Sequence, residues 1–190
     1  MKKIVLTGGP ASGKTTALSI LKEEYGTDIE LAKEAATLVY SGGFPRDDRS
    51  KRHTYHAQRI IYYTTKELEA LAEEINPTAK IVLCDRGSLD GAVYWPYGQE
   101  DFFKTFNTNI GTEFERYYAV IHMSPPKEAK FYQNTSVRTE SLERALQVDE
   151  AILKLWQGHP RHIVIPESND YVKKALIVRK TIRKIINGEI

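Results

Sequence analysis

Residues 8–16 read GGPASGKTT, and Gly8, Gly13, Lys14 and Thr15 satisfy the spacing G-x-x-x-x-G-K-[ST]. Glycines let the backbone curl until successive N–H groups point inward, and a helix that follows adds partial positive charge at its N-terminus. The product is a cradle for phosphate, and it works only between a strand and a helix. Lys2 to Leu6 is the apolar run ahead of the loop. Gly13 to Tyr25 behind it carries Ala17, Ile20 and Leu21 on one helical side. The backbone from Gly8 through Gly9, Pro10, Ala11, Ser12 and Gly13 to Thr16 is therefore expected to bind phosphate. Lys14 is expected to reach the β- and γ-phosphates, and the Thr15 hydroxyl to ligate Mg²⁺.

The same alternation continues down the chain. Asp28 to Leu31 reads as a second strand and Lys33 to Tyr40 as a short helix. A polar Gly/Pro loop occupies Ser41 to Arg52. His53 to Ile75 is strongly helical, with Ala57, Ile61, Thr64, Leu68, Leu71 and Ile75 as its core stripe, and Asn76-Pro77 stops it. Lys80 to Cys84, Tyr118 to Met123 and Arg161 to Ile165 read as strands, and Ser141 to Gln157 and Asn169 to Ile186 as helices. Short apolar strands alternating with helices predict an α/β, three-layer P-loop NTPase fold. Its parallel sheet has about five strands and right-handed crossovers.

Composition narrows the class. A chain of 190 residues with 41% hydrophobic and 27% charged residues fits a single globular domain spanning residues 1–190. One cysteine, Cys84, excludes an internal disulfide and suits a reducing, cytoplasmic setting. It ends an apolar run, which is a core position. The opening MKKIVLTGG has too short an apolar run for a signal peptide, and no stretch approaches the ~20 residues of a membrane helix. A net charge of +2, with no long basic stripe, argues against a nucleic-acid end kinase. The basic face of YVKKALIVRKTIRKII reads as solvated, with a membrane-surface role left open.

A phosphate loop of this kind needs an acid at the end of a neighbouring strand. In KIVLCDRG, Asp85 fits, as a metal-side group or as an acceptor of the substrate proton; the alternative is a surface Asp capping the next helix. Arg86 after it suits charge on a transferring phosphoryl group better than activation of water. In NTSVRTESLERAL, Arg138 and Arg144 sit near a helix start and can fold over a triphosphate; the alternative is a solvated helix with pairs such as Glu140–Arg144. Asp149 falls in the apolar stripe Leu142, Leu146, Leu153, Trp156 and is expected to pair with a nearby arginine. Glu34 is a second candidate for the acceptor hydroxyl, and Tyr55, Gln58, Arg59 and Tyr62 form an aromatic-amide-basic face able to meet a ring. Arg46 lies in the Gly/Pro loop. The five histidines show no metal-ligand spacing.

The phosphate loop, DRGSLDGAVYW, RTESLERALQVDEAILKLWQGHP and IVIPES together resemble the NadR-like AAA family. These are small P-loop ATPase and kinase domains similar to the nicotinamide-riboside kinase domain of NadR. More distantly the segments resemble thymidylate and deoxynucleoside kinases. The resemblance implies a core that binds ATP or GTP with Mg²⁺, a mobile helical lid and an acceptor pocket. Lys14 and Thr15 take the loop roles, Asp85 and Arg86 match the acid–arginine pair on the acceptor side, and Arg138 and Arg144 fall in the lid-like segment. The expected activity is Mg-dependent transfer of a γ-phosphoryl group to a hydroxyl of a small nucleoside-like acceptor. The alternative is a nucleotide-dependent switch without a small-molecule product. The absence of an N-K-x-D element weakens a Ras-like reading of that switch.

Overall fold

The computed structural model describes residues 1–46, 50–127 and 141–190. Five strands form one sheet: β1 (Lys2–Thr7), β2 (Ile29–Ala32), β3 (Ile81–Asp85), β4 (Ala119–Met123) and β5 (His162–Ile165). Their order is β2-β3-β1-β4-β5, and every pairing is parallel. Among the described residues the helices are α1 (Lys14–Tyr25), α2 (Ala35–Ser41), α3 (Lys51–Ile75), α4 (Gly91–Tyr94), α5 (Gln99–Phe106), α6 (Ile110–Glu115), α7 (Leu142–Trp156) and α8 (Tyr171–Ile186).

Alternation along the strands builds the three layers. Ile4, Leu6, Ile81, Leu83, Ala119, Ile121 and Met123 point to one side, where α1 and α8 cover them with Ala17, Leu18, Leu21, Val178 and Ile182. Val5, Val82, Cys84 and Val120 point to the other, against Tyr62 of α3, Phe102 of α5 and Val148, Ile152 and Trp156 of α7. A strand buried on both faces reads as a continuous apolar run, which is why these strands are legible in the sequence. Cys84 is fully buried, and burial pushes its thiol well above the ordinary range. The central strand β1 has β3 on one side and β4 on the other, so the loop after it opens at the point where strand order reverses. Open parallel sheets bind ligands at such points.

Two helix faces differ from expectation. In α3 the buried residues include Gln58, Tyr62, Glu69 and Ala72, each one position beyond the expected Ala57, Ile61, Leu68 and Leu71, although Ala57 is buried as well. Leu71 and Ile75 are exposed. One residue is about 100° of helix rotation. The cause is Glu69, which is 0% exposed and meets Arg116 Nη2 at 2.6 Å, the Tyr117 hydroxyl at 2.6 Å and Lys3 Nζ at 3.3 Å. A buried carboxylate so bonded sets the rotation against the apolar count. In α1, Leu18 rather than Ile20 joins Ala17 and Leu21 in the core, and Ile20 is exposed.

Candidate functional site

A cavity of about 660 Å³ lies at the C-terminal ends of β1 and β3, within the range of small-molecule sites. Its wall includes Pro10, Ala11, Lys14 and Thr15 of the loop, Glu34 of the β2–α2 turn, Asp85 and Arg86 past β3, and Arg144 of α7. The fold thus brings to one place groups that lie up to 134 positions apart (Pro10 to Arg144). Ser12 is buried in the loop, and Thr16 is exposed one residue beyond Thr15. Arg138 falls outside the described residues, as do Asn134 to Glu140 of the expected lid segment.

The loop is held tightly. Gly8 has φ 127°, and a Cβ there would come 2.1 Å from the Met123 carbonyl oxygen of β4, so only glycine fits. Ala11 takes φ 62°. Lys14 Nζ donates to Gly8 O, Gly9 O and Ser12 Oγ, each at 3.0 Å. Burial and the Arg86 guanidinium pull the Lys14 ammonium down to about 8, against Asp85, Glu34 and Asp90. From behind, Lys174 of α8, 0% exposed, donates to Ser12 O at 2.6 Å and to Ser124 O. Lys174 therefore leaves the basic, solvated face expected of that helix. It lies with Ala175, Val178, Ile182 and Ile185 on the buried side.

Asp85 pairs in register with Leu6, one residue before Thr7 and the loop. Its Oδ1 is buried without a partner among the described groups, and burial raises the carboxyl to about 6. Arg86 adopts φ 74°, a conformation that side-chain-bearing residues rarely take outside functional or strained sites. Its Nε donates to Glu34 Oε1 at 2.8 Å, and its Nη1 to Gly8 O at 3.2 Å, with Asp90 Oδ2 at 3.5 Å. Burial alone would raise the Glu34 carboxyl, but Arg86 and the Thr37 hydroxyl outweigh it and hold it at about 2. The two candidate acids thus stand apart: Glu34 is spent on Arg86, while Asp85 keeps a free oxygen near neutrality.

Asp90, four residues past Arg86, was not singled out from the sequence. It is 2% exposed, lines the cavity, and accepts from Thr7 Oγ1 at 2.6 Å and Trp156 Nε1 at 2.6 Å. Its signal is an acid among small and apolar residues in GSLDGAVYW, at helical spacing from Arg86. Glu113 was also missed. It accepts from the Tyr62 hydroxyl at 2.7 Å and from Ser88 Oγ, and so fixes the cavity wall from inside. Gln58 and Tyr62 of the expected ring-binding face do line the cavity, whereas Tyr55 packs on Trp95 at 5.0 Å and Arg59 lies over Tyr55. Arg46 reaches the wall as well. Asp149 is buried as expected, but its partners are His122 and the Gly9 amide, with no arginine bonded to it among the described residues. Among those residues no cluster of three or more His, Cys, Asp or Glu side chains is arranged to hold a metal. The oxygen pair Thr15 and Asp85 on one wall, with an unpartnered carboxylate oxygen, fits a hard cation such as Mg²⁺ that keeps most of its water. No described helix is long and apolar enough to cross a membrane.

The sequence profile of a family described as an AAA domain matches residues 3–174. Among solved structures, NadR protein in complex with NAD and AMP-PNP has the same fold, with a TM-score of 0.59 over 94% of this chain at 16% identity. The chain covers 49% of that protein's length, so the two correspond over about half of it. Among curated proteins, none matches this sequence at a significant level.

Proposed function

Because the chain belongs to this AAA-domain family of P-loop proteins and shares the NadR-like fold, we propose that it is a phosphotransferase. It moves the γ-phosphoryl group of ATP, or GTP, to a hydroxyl of a small nucleoside-like acceptor. The observation that carries this reading is the free, near-neutral Asp85 carboxylate in the same cavity as Lys14. A group that must take a proton at neutral pH works best with a pKa close to 7, and Glu34, held at about 2, is a poor competitor. NadR protein, which has this fold over about half its length, is known in complex with NAD and AMP-PNP.

Lys14 and the loop amides bind the triphosphate and hold the γ-phosphorus in line with the acceptor oxygen. Asp85 takes the acceptor's proton as its oxygen bonds to phosphorus and the β,γ-bridging oxygen departs with the diphosphate. Arg86 and Arg144 meet the charge on the transferring group. Gln58 and Tyr62, which line the same cavity, orient the acceptor. Thr15 would hold Mg²⁺ through its hydroxyl, with Asp85 lining the same cavity. Mg²⁺, when bound, offsets phosphate charge in both ground and transition states.

A panel of nucleosides and small alcohols with γ-labelled ATP tests the reading. Labelled product that disappears in Asp85→Asn, with ATP affinity retained, is the expected result. Loss of Mg-dependent ATP binding in the same variant moves Asp85 from proton acceptor to metal ligand. Tight ATP binding with no labelled product from any acceptor overturns the kinase reading in favour of a nucleotide-dependent switch.

A further inference from the structure

We propose that Asp149 is a positioning residue that ties the phosphate loop to α7, so that the helix carrying Arg144 follows the state of the loop. The proposal rests on the reading of residues 8–16 as a triphosphate cradle. One carboxylate oxygen makes both connections: Asp149 Oδ1 accepts from the Gly9 N–H at 2.6 Å and from His122 Nε2 at 3.0 Å. A carboxylate only accepts, so Nε2 carries the proton. Asp149 is 8% exposed and sits between Val148 and Ile152 on the buried face of α7. Such a group is costly to bury unless bonded, and these bonds supply what it needs.

One donor belongs to the loop itself and the other to β4, the strand beside β1. Gly9 follows β1, and His122, 0% exposed on β4, pairs in register with Thr7, the last residue of β1. His122 is thus a fixed post on the sheet, and Gly9 is the movable side of the contact. The approach is close: a Cβ on Gly9 would lie 2.9 Å from Ala145 O and 2.9 Å from Asp149 Cβ. The backbone of α7 therefore rests on the loop itself. Arg144, next to Ala145 and on the cavity wall, belongs to the same rigid turns of helix. A loop that reshapes around phosphate must either carry α7 with it or break a charge-assisted hydrogen bond. While the bond holds, α7 and with it Arg144 follow the loop; where it breaks, they do not.

Hydrogen exchange on the full chain, with and without Mg·ATP, reads the coupling. In the parent, Mg·ATP should slow exchange in residues 8–16 and in the first turns of α7. In Asp149→Ala the loop response should persist. The α7 response should fall about fivefold or more, the low end of coupling between linked sites. Asp149→Asn keeps an oxygen able to accept both bonds and should restore the α7 response, which a mere loss of core volume does not explain. Gly9→Ala keeps Asp149 and His122 but forces α7 off the loop, so the α7 response should fall relative to whatever loop response that variant shows. An α7 response equal to the parent's in both Asp149→Ala and Gly9→Ala overturns the proposal. So does a parent in which the loop responds and α7 does not. A parent whose loop ignores Mg·ATP removes the triphosphate reading, and the coupling falls with it.

Discussion

The Asp85 carboxyl stands at about 6 and the Glu34 carboxyl at about 2, although both border one cavity. Burial raises both carboxyls; at Glu34 the bonded Arg86 guanidinium and the Thr37 hydroxyl outweigh it, whereas Asp85 Oδ1 has no partner among the described groups. For Asp85 the folded state holds its proton more tightly than the unfolded chain does, whose value is 3.8. Its contribution therefore favours folding below pH 4 and is lost as pH rises through about 6. Above that, the buried charge is a penalty of about 1–3 kcal/mol. Asp85→Asn in metal-free buffer should raise Tm at pH 7.5, and the gain should vanish by pH 4; calorimetry at both values checks it. A lower Tm at pH 7.5 would show that the carboxylate is satisfied after all. Arg86 belongs to the same scale. Its Nη1 donates to the Gly8 carbonyl and the residue lines the cavity, so Arg86→Ala should affect more than turnover. Steady-state kinetics should show kcat falling by about 3–4 kcal/mol of barrier, as for other lost oxyanion donors. The KM for ATP should rise too, because the loop loses a brace. An unchanged KM would separate Arg86 from the loop.

Helices decide how the loop is supported. The α8 helix reads from its sequence as one apolar and one basic face, yet Lys174 is buried with its ammonium on Ser12 O and Ser124 O. Burial pulls that ammonium down to about 8, with Asp149 and Glu167 opposing. Lys174→Met keeps the aliphatic stem but strands the buried Ser12 carbonyl and the part-buried Ser124 carbonyl, which costs about 1–3 kcal/mol. Urea unfolding should show that loss, and a fluorescent ATP analogue should bind more weakly; Lys173→Met, exposed one residue earlier, should change neither. The rotation of α3 follows the same logic. Counting apolar residues favours Leu68 and Leu71, but the bonds of Glu69 to Arg116, Tyr117 and Lys3 turn the helix by one residue. Periodicity measures transfer free energy along one element and is blind to partners on others.

For the molecule as a whole, the loop closes the central strand and touches β4, α7 and α8, so ligand binding there should stabilise the entire fold. Mg·ATP at a hundredfold excess over its Kd should add about 2.7 kcal/mol. For a chain of this size that is about 5–10 °C in Tm. Thermal unfolding should show the shift in the parent and none in Lys14→Ala relative to that variant's own unliganded Tm, which should fall because the Gly8 and Gly9 carbonyls lose their donor; an equal shift in both would sink the loop assignment. The sequence by itself determined the parallel α/β sheet, because strands buried on both faces are written as short apolar runs, and it determined the phosphate loop, because that motif is contiguous. It also marked Asp85, Arg86 and Glu34, each at the edge of a readable element. Only the tertiary structure decided that Arg86 bonds Glu34 while Asp85 Oδ1 has no partner among the described groups, and that Asp149 answers to His122 and Gly9 in place of an arginine. The same holds for the places of Asp90, Glu113 and Lys174 around the site. The sequence left α4, α5 and α6 unassigned because their apolar residues pack in short turns with no sustained period, as with Phe102 inside the eight-residue α5. Partner choice for a buried polar group is a matter of which strands and helices the fold sets side by side. Contacts spanning 140 positions, as from Gly9 to Asp149, leave no local pattern to read.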